Sequence, residues 1–282
     1  MKVLIASSSL VAEPAFRSLL SSSHEVIGGL STPDTQRGRG REISENEFAQ
    51  LVSREKLPVY KPQSNSELID LLESVHPDVV ITISYGKLIK SEALKLPTFG
   101  WINVHFSLLP RWRGASPVQR AIAAGDLKTG ITIFQLEEGL DTGPIYLQQE
   151  HVMTGNESTA ELLDALSREA SAPLLQSLEM IKSGVKPQPQ SVTGITLAPK
   201  LSKDEGRIDW NTTAEEIERK VRAFTPWPSA WSMFSGQRIA ITSAKLSTFE
   251  LRPGEMRIAE NLHVGCARGS LEIVELKPEG KR

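Results

Sequence analysis

Short apolar runs alternate with amphipathic stretches through the first part of the chain, and the two periods predict strands and helices in turn. Val3–Ala6 reads as a buried strand, Ser7–Ser9 as a loop, Glu13–Leu20 as a helix with Pro14 in its first turn, and Glu25–Leu30 as a second strand. That order is a βαβ unit. Helices follow over Ser44–Glu55 and Ser66–Val75. Pro77–Ser84, PDVVITIS, has the β-branched composition of a central parallel strand. A helix over Ser91–Leu96 then leads into the apolar run that opens at Trp101. Beyond it the pattern predicts a helix at Pro117–Ala124, a strand at Gly130–Leu136 and an edge strand with alternating polar positions at Pro144–Val152. One long amphipathic helix over Ser158–Met180 closes the series. This alternation predicts a doubly wound, Rossmann-like α/β domain over residues 1–183.

The pattern changes from residue 184. Residues 184–203 are rich in proline, glycine and polar side chains and read as a linker. After a helix at Thr213–Phe224 come short β-type runs: WSMF, QRIAIT, AKLST, MRIA, HVGCA and SLEIVEL. Short strands at this spacing predict a small OB-like β-barrel over residues 204–282.

Composition narrows the function only a little. The chain has 282 residues, 39% apolar and 23% charged, with a net charge of −2, so any contact with nucleic acid rests on local basic patches. Its one cysteine, Cys266, has no intramolecular disulfide partner, which suits a cytoplasmic protein. No apolar run approaches the ~20 residues of a membrane span. The apolar run after Met1 is shorter than the ~7–15 residues of a signal peptide core, so a first strand is the better reading. Five histidines are scattered without ligand spacing, and no metal site is expected. The serine loop after the first strand lacks a GxGxxG fingerprint, which argues against a nicotinamide oxidoreductase.

The chemistry concentrates in Trp101–Pro117, WINVHFSLLPRWRGASP. Asn103 and His105 lie two residues apart on a strand and so share a face. Gly139-Leu140-Asp141-Thr142-Gly143 places a carboxylate in a glycine-framed turn. A carboxamide, an imidazole and a carboxylate suit acyl transfer between two nitrogens. Gly38-Arg39-Gly40-Arg41 offers either a solvated loop or an arm that meets phosphates.

Asn103-Val104-His105, Ser107-Leu108-Leu109-Pro110, Arg113-Gly114-Ala115 and the Gly139–Gly143 motif together resemble the signature of the 10-formyltetrahydrofolate-dependent formyltransferases. Three further stretches resemble the branch that formylates the methionyl group of initiator tRNA. They are the arginine–glycine loop, Leu201-Ser202-Lys203 with Arg207-Ile208-Asp209-Trp210, and Phe224-Thr225-Pro226-Trp227-Pro228. Formyltransferases acting on amino sugar nucleotides share much of the layout and are the nearest alternative. A non-catalytic RNA-binding protein would leave Asn103, His105 and Asp141 unexplained.

The resemblance implies 10-formyltetrahydrofolate as formyl donor, initiator methionyl-tRNA as acceptor, and a monomer. It makes Asn103 the donor to the tetrahedral oxyanion, His105 a polariser and proton carrier, and Asp141 the group that orients His105 or relays a proton. Ser107, Leu108, Leu109 and Pro110 are then expected at the folate. Arg39 and Arg41 are expected at the tRNA, with Lys200, Lys203 and Arg207 as further candidates. Two departures stand out: Ser7-Ser8-Ser9-Leu10 replaces the usual glycine-containing turn, and family members run some tens of residues past Arg282, so a truncated barrel is expected.

Overall fold

The apolar runs assigned to strands form the buried centre of the computed structural model, which describes residues 1–37 and 42–278. The chain opens with β1 (Lys2–Ala6), α1 (Glu13–Leu20), β2 (Glu25–Leu30) and a hairpin of β3 (Thr35–Arg37) and β4 (Glu42–Ser44). It continues with α2 (Glu47–Arg54), β5 (Val59–Tyr60), α3 (Asn65–Val75), β6 (Val79–Thr82), α4 (Ser91–Leu94) and β7 (Trp101–His105). Then come α5 (Pro117–Ala124), β8 (Lys128–Gln135), β9 (Ile145–Val152), α6 (Thr159–Glu169), α7 (Ser171–Lys182) and α8 (Ala214–Phe224). The last part is β10 (Ala230–Phe234), β11 (Gln237–Ser247), β12 (Met256–Ile258), β13 (Leu262–Gly265) and β14 (Ser270–Pro278). Contacts group these into two units. The first takes residues 1–115, 130–151 and 164–197; the second takes residues 116–129, 152–163 and the chain from 198 onward.

A seven-stranded sheet in the order β5-β2-β1-β6-β7-β8-β9 forms the frame of the first unit. The pairings from β5 through β7 are parallel, and β8 runs antiparallel to β7. Val3, Leu4, Ile5, Ala6, Val79, Val80 and Ile81 are all fully buried, which is why β1 and β6 read as unbroken apolar runs. Leu68 and Leu72 of α3 and Ala93 of α4 pack on Leu4, Ala6, Val80 and Trp101. Strand order reverses at β1, with β2 and β5 on one side and β6 and β7 on the other. Open α/β sheets bind ligands at the carboxyl ends of the strands around such a reversal.

Local chemistry fixes several boundaries. Asn46 caps α2: its Oδ1 accepts the Ala49 N–H at 2.9 Å, and its Nδ2 donates to Ser31 Oγ at 2.6 Å. Lys61 Nζ donates to both Asp34 and Glu45 at 2.7 Å, tying together the segments that flank β3 and β4; residues 38–41 lie outside the described residues. The single long helix expected over Ser158–Met180 is instead two, α6 and α7, meeting at Ala170. Pro173 is the physical reason. It has no N–H to give the carbonyl four residues back and fits only in a first turn, while the apolar spacing runs through the break unchanged. The stretch read as a linker pairs with the first unit, through a bridge from Gln188 to Ile145 and one from Leu197 to Arg113.

In the second unit β10-β11-β14-β13-β12 form one antiparallel sheet. Ile217 and Val221 of α8 pack with Ile241, Val264, Leu271 and Ile273 of the strands. The helix begins at a capping box in which Thr213 and Glu216 bond each other's backbone N–H. Five strands is the number of an OB-type barrel, and among the described residues the ladder has β10 and β12 at its edges.

Asn46 is 1% exposed, and its amide joins the α2 cap to the end of β2. Asn46→Ala should lower unfolding free energy by about 2 kcal/mol, as a lost cap plus a lost buried hydrogen bond to Ser31 implies. Urea unfolding checks this: an unchanged midpoint would contradict the reading.

Candidate active site

Strand alternation builds the site from β7. Trp101, Asn103 and His105 point to one face, and Ile102 and Val104 to the other. Trp101 is fully buried and donates its indole N–H to Ala93 O at 2.8 Å, which pins the strand below the polar pair. Asn103 is half-buried, and its carboxamide has no hydrogen-bond partner among the described residues. A half-buried amide with no protein partner, in the middle of β7, is free to bond a ligand.

His105 is 6% exposed. Its Nε2 lies 2.9 Å from Trp112 O, and a carbonyl can only accept, so Nε2 carries the hydrogen. That leaves Nδ1 as the atom that gains or loses a proton. Nδ1 faces Asp141 Oδ2 at 3.8 Å, too long for a direct hydrogen bond and close enough for charge to be felt. Burial pushes the imidazole below its ordinary value of 6.5, against the opposing pull of Asp141 and of the Trp112 carbonyl.

Asp141 sits at φ +50°, a left-handed conformation that aspartate tolerates better than most residues. Its Oδ2 accepts the Gly114 N–H at 2.7 Å, which ties the Gly139–Gly143 turn to the loop after β7. Gly143 has no alternative here: a Cβ would collide with the Gln135 carbonyl oxygen.

The Ser107–Pro110 loop is held from within. Thr132 Oγ1 donates to Ser107 O at 2.6 Å and accepts the Leu109 N–H at 3.1 Å. Gln148 Nε2 donates to Leu109 O at 2.8 Å, Arg111 N donates to Leu108 O at 3.1 Å, and Thr196 N donates to Pro110 O at 3.3 Å. These carbonyls and the Leu109 N–H are thus already engaged.

His105 and Asp141 therefore come together, Asn103 shares the His105 face of β7, and Ser107–Pro110 follows β7 in the chain. Arg39 and Arg41 fall outside the described residues. Lys200, Lys203 and Arg207 are exposed residues of the second unit, whereas the three belong to the first. There Lys203 O accepts the Trp231 indole N–H at 2.9 Å, and Arg238, which the sequence pattern did not single out, stacks on the Trp231 ring at 4.3 Å. Thr132 and Gln148 also escaped notice, although the polar alternation of β9 was a visible signal for Gln148. Gln190 and Thr196 gave no signal at all. Cys266 is 2% exposed and its thiol is pushed up to about 11 by burial, so it is no nucleophile. Among the described residues no group of three or more His, Cys, Asp or Glu is placed to hold a metal ion, and no helix is long and apolar enough to cross a membrane.

Comparison with known proteins converges on one family. The formyl transferase pattern matches residues 1–178, and the formyl transferase C-terminal domain pattern matches residues 200–282. The methionyl-tRNA formyltransferase of Magnetococcus marinus is 38% identical over 276 residues, covering 96% of this chain and 88% of that protein. The methionyl-tRNA formyltransferase of Marinobacter nauticus is 37% identical over 289 residues, covering 100% of this chain and 93% of the other. In fold, the chain is similar to the N-formyltransferase of Helicobacter canadensis, solved with folinic acid and dTDP-3-aminofucose. The TM-score is 0.74 at 15% identity, covering 98% of this chain and 100% of that one. With both domain patterns matched and relatives of this identity along its whole length, the chain belongs to the formyl transferase family, in its methionyl-tRNA formyltransferase branch.

Proposed function

We infer that the chain transfers the formyl group of 10-formyltetrahydrofolate to the α-amino group of methionyl-initiator tRNA, giving N-formylmethionyl-tRNA for translation initiation. The observation that carries this reading is the His105–Asp141 pair, with the unpaired Asn103 carboxamide two residues from His105 on the same strand face, in a chain of this family. The amine attacks the formyl carbon, and the carbonyl oxygen becomes negative in a tetrahedral intermediate. The bond to N10 then breaks and N10 takes a proton. Asn103 Nδ2 donates to the oxyanion. His105, kept neutral at pH 7 by burial, takes the proton that the amine loses at Nδ1 and returns one to N10. Asp141 stabilises the imidazolium while it lasts. The Ser107–Pro110 loop contributes mainly apolar surface to the folate, because most of its backbone polar groups are engaged elsewhere.

Residues 1–183 act as the catalytic domain and residues 184–203 as the connection. Residues 204–282 act as the tRNA-binding module, with Arg207 in it and Lys200 and Lys203 on the connection before it bound to phosphates, and Arg39 and Arg41 contacting the same ligand. By family resemblance the enzyme acts as a monomer, in the cytoplasm.

The test is formyl transfer from 10-formyltetrahydrofolate to methionyl-tRNA, run beside an amino sugar nucleotide acceptor. Wild type should formylate only the tRNA. Asn103→Ala should lower kcat by roughly 10²–10³-fold and His105→Ala by roughly 10²–10⁴-fold. Full turnover in either variant, or preference for the sugar nucleotide, would overturn the assignment.

The pH dependence has a definite sign. His105 binds its proton less readily folded than unfolded, so its contribution to stability is fully present above pH 6.5 and is lost as pH falls below it. An NMR titration of His105 should give a midpoint below 6.5, and Asp141→Asn should move it lower still, because the carboxylate is the stronger of the two groups that favour the charged ring. A midpoint that rose in Asp141→Asn would contradict the pairing.

A further inference from the structure

Gln190 lies in the proline-rich stretch after α7, 49 residues from the catalytic turn it touches. Its Nε2 donates to Asp141 O and to Gly143 O, each at 2.8 Å. Its Oε1 accepts from Arg113 Nε at 3.1 Å and from the Arg113 guanidinium a second time at 2.7 Å. Both amide hydrogens and both carbonyl lone pairs are therefore engaged, which is the full capacity of the side chain. The same stretch holds the neighbouring loop a second way. Thr196 Oγ1 accepts the Trp112 N–H at 2.9 Å, and Thr196 O accepts the Arg113 N–H at 2.9 Å.

What these bonds fix is the geometry of the site. Trp112 O receives the His105 Nε2 hydrogen, and Gly114 N–H holds Asp141 Oδ2. Arg113 stands between these two residues in the chain. Gln190 grips Arg113 on one side and the backbone of Asp141 on the other, so it joins the loop that sets the His105 ring to the turn that carries the carboxylate.

We propose that Gln190 is a positioning residue for formyl transfer, its carboxamide setting the separation between His105 Nδ1 and the Asp141 carboxylate by locking the two loops together. This rests on the reading that His105 and Asp141 handle the proton. Only an amide meets the requirement, since two carbonyls need donors while the guanidinium needs an acceptor. A glutamate at this position would keep the Arg113 pair and set a carboxylate against the Asp141 and Gly143 carbonyls.

The experiment compares Gln190→Ala and Gln190→Glu, each alone and combined with Asp141→Asn, in the formyl transfer assay. Unfolding midpoints confirm that each variant folds. Both single variants should lose about 10- to 100-fold in kcat, the scale of an ångström of misplacement, with KM for either substrate changed far less. In the Asp141→Asn background the same changes should cost less than about threefold, because residues acting through one group are not additive. The His105 NMR midpoint should fall in Gln190→Ala as the carboxylate loses its station. A role in folding alone would let Gln190→Glu, with its retained Arg113 pair, recover activity, and would leave the midpoint unmoved. Either result overturns the proposal. If Asp141→Asn and His105→Ala themselves keep full turnover, the proton-handling reading falls first. If they lose it and Gln190→Ala does not, only the positioning role falls.

Discussion

The hydrogen bond from the Gly114 N–H to Asp141 Oδ2, 2.7 Å long, holds a carboxylate at 3.8 Å from His105 Nδ1. Much of the site follows from that spacing. In direct contact, the carboxylate would favour the imidazolium strongly and leave a poor base. Moved away, it would leave burial alone to act, and a protonated ring would have no counter-charge. At an intermediate distance the ring stays neutral at rest and its charged form is still tolerated, which is what a group that takes a proton and returns it requires.

Keeping that distance needs rigid loops, and the chain obtains them at some conformational cost. Asp141 at φ +50° and Trp112 at φ +63° both occupy the left-handed region, a cost of roughly 1–3 kcal/mol each for residues with side chains. The hydrogen bonds around them offset it: Gly114 to Asp141, Trp112 to Thr196, and Gln190 to the carbonyls of the turn. Thr132 and Gln148 do the same for the Ser107–Pro110 loop. A loop whose polar groups are satisfied internally keeps its shape without a ligand, so substrate binding need not supply the energy of ordering it.

How much of this could be read in the sequence depends on how local each signal is. The two-residue spacing of Asn103 and His105 shows in five letters of β7, and the buried runs of β1 and β6 show in their β-branched composition. The Asp141 turn announces itself by its glycines, one of which is forced by the approach of Gln135 O. The division of one expected helix at Ala170 was hidden, because Pro173 in a first turn leaves the apolar spacing intact. The role of the proline-rich stretch was hidden more deeply. Gln190 reaches Asp141 across 49 residues and Thr196 reaches Trp112 across 84, and no periodicity carries information over such separations.

Charge separates the two tasks the chain is inferred to perform. With a net charge of −2, the protein as a whole exerts no long-range pull on a polyanion. Attraction to tRNA must come from short-range groups, and the exposed cations of the second unit are followed in sequence by acidic residues: Lys203 by Asp204 and Glu205, Arg207 by Asp209 two residues on. Such pairs weaken the field at a distance and leave the local donors intact, since Arg and Lys bind phosphate through hydrogen bonds that form only at contact. Recognition on these terms depends on fit before field. Arg238 stacks on the Trp231 ring at 4.3 Å, and the same indole donates to the Lys203 carbonyl, so this cation is packed against an aromatic face before any ligand arrives.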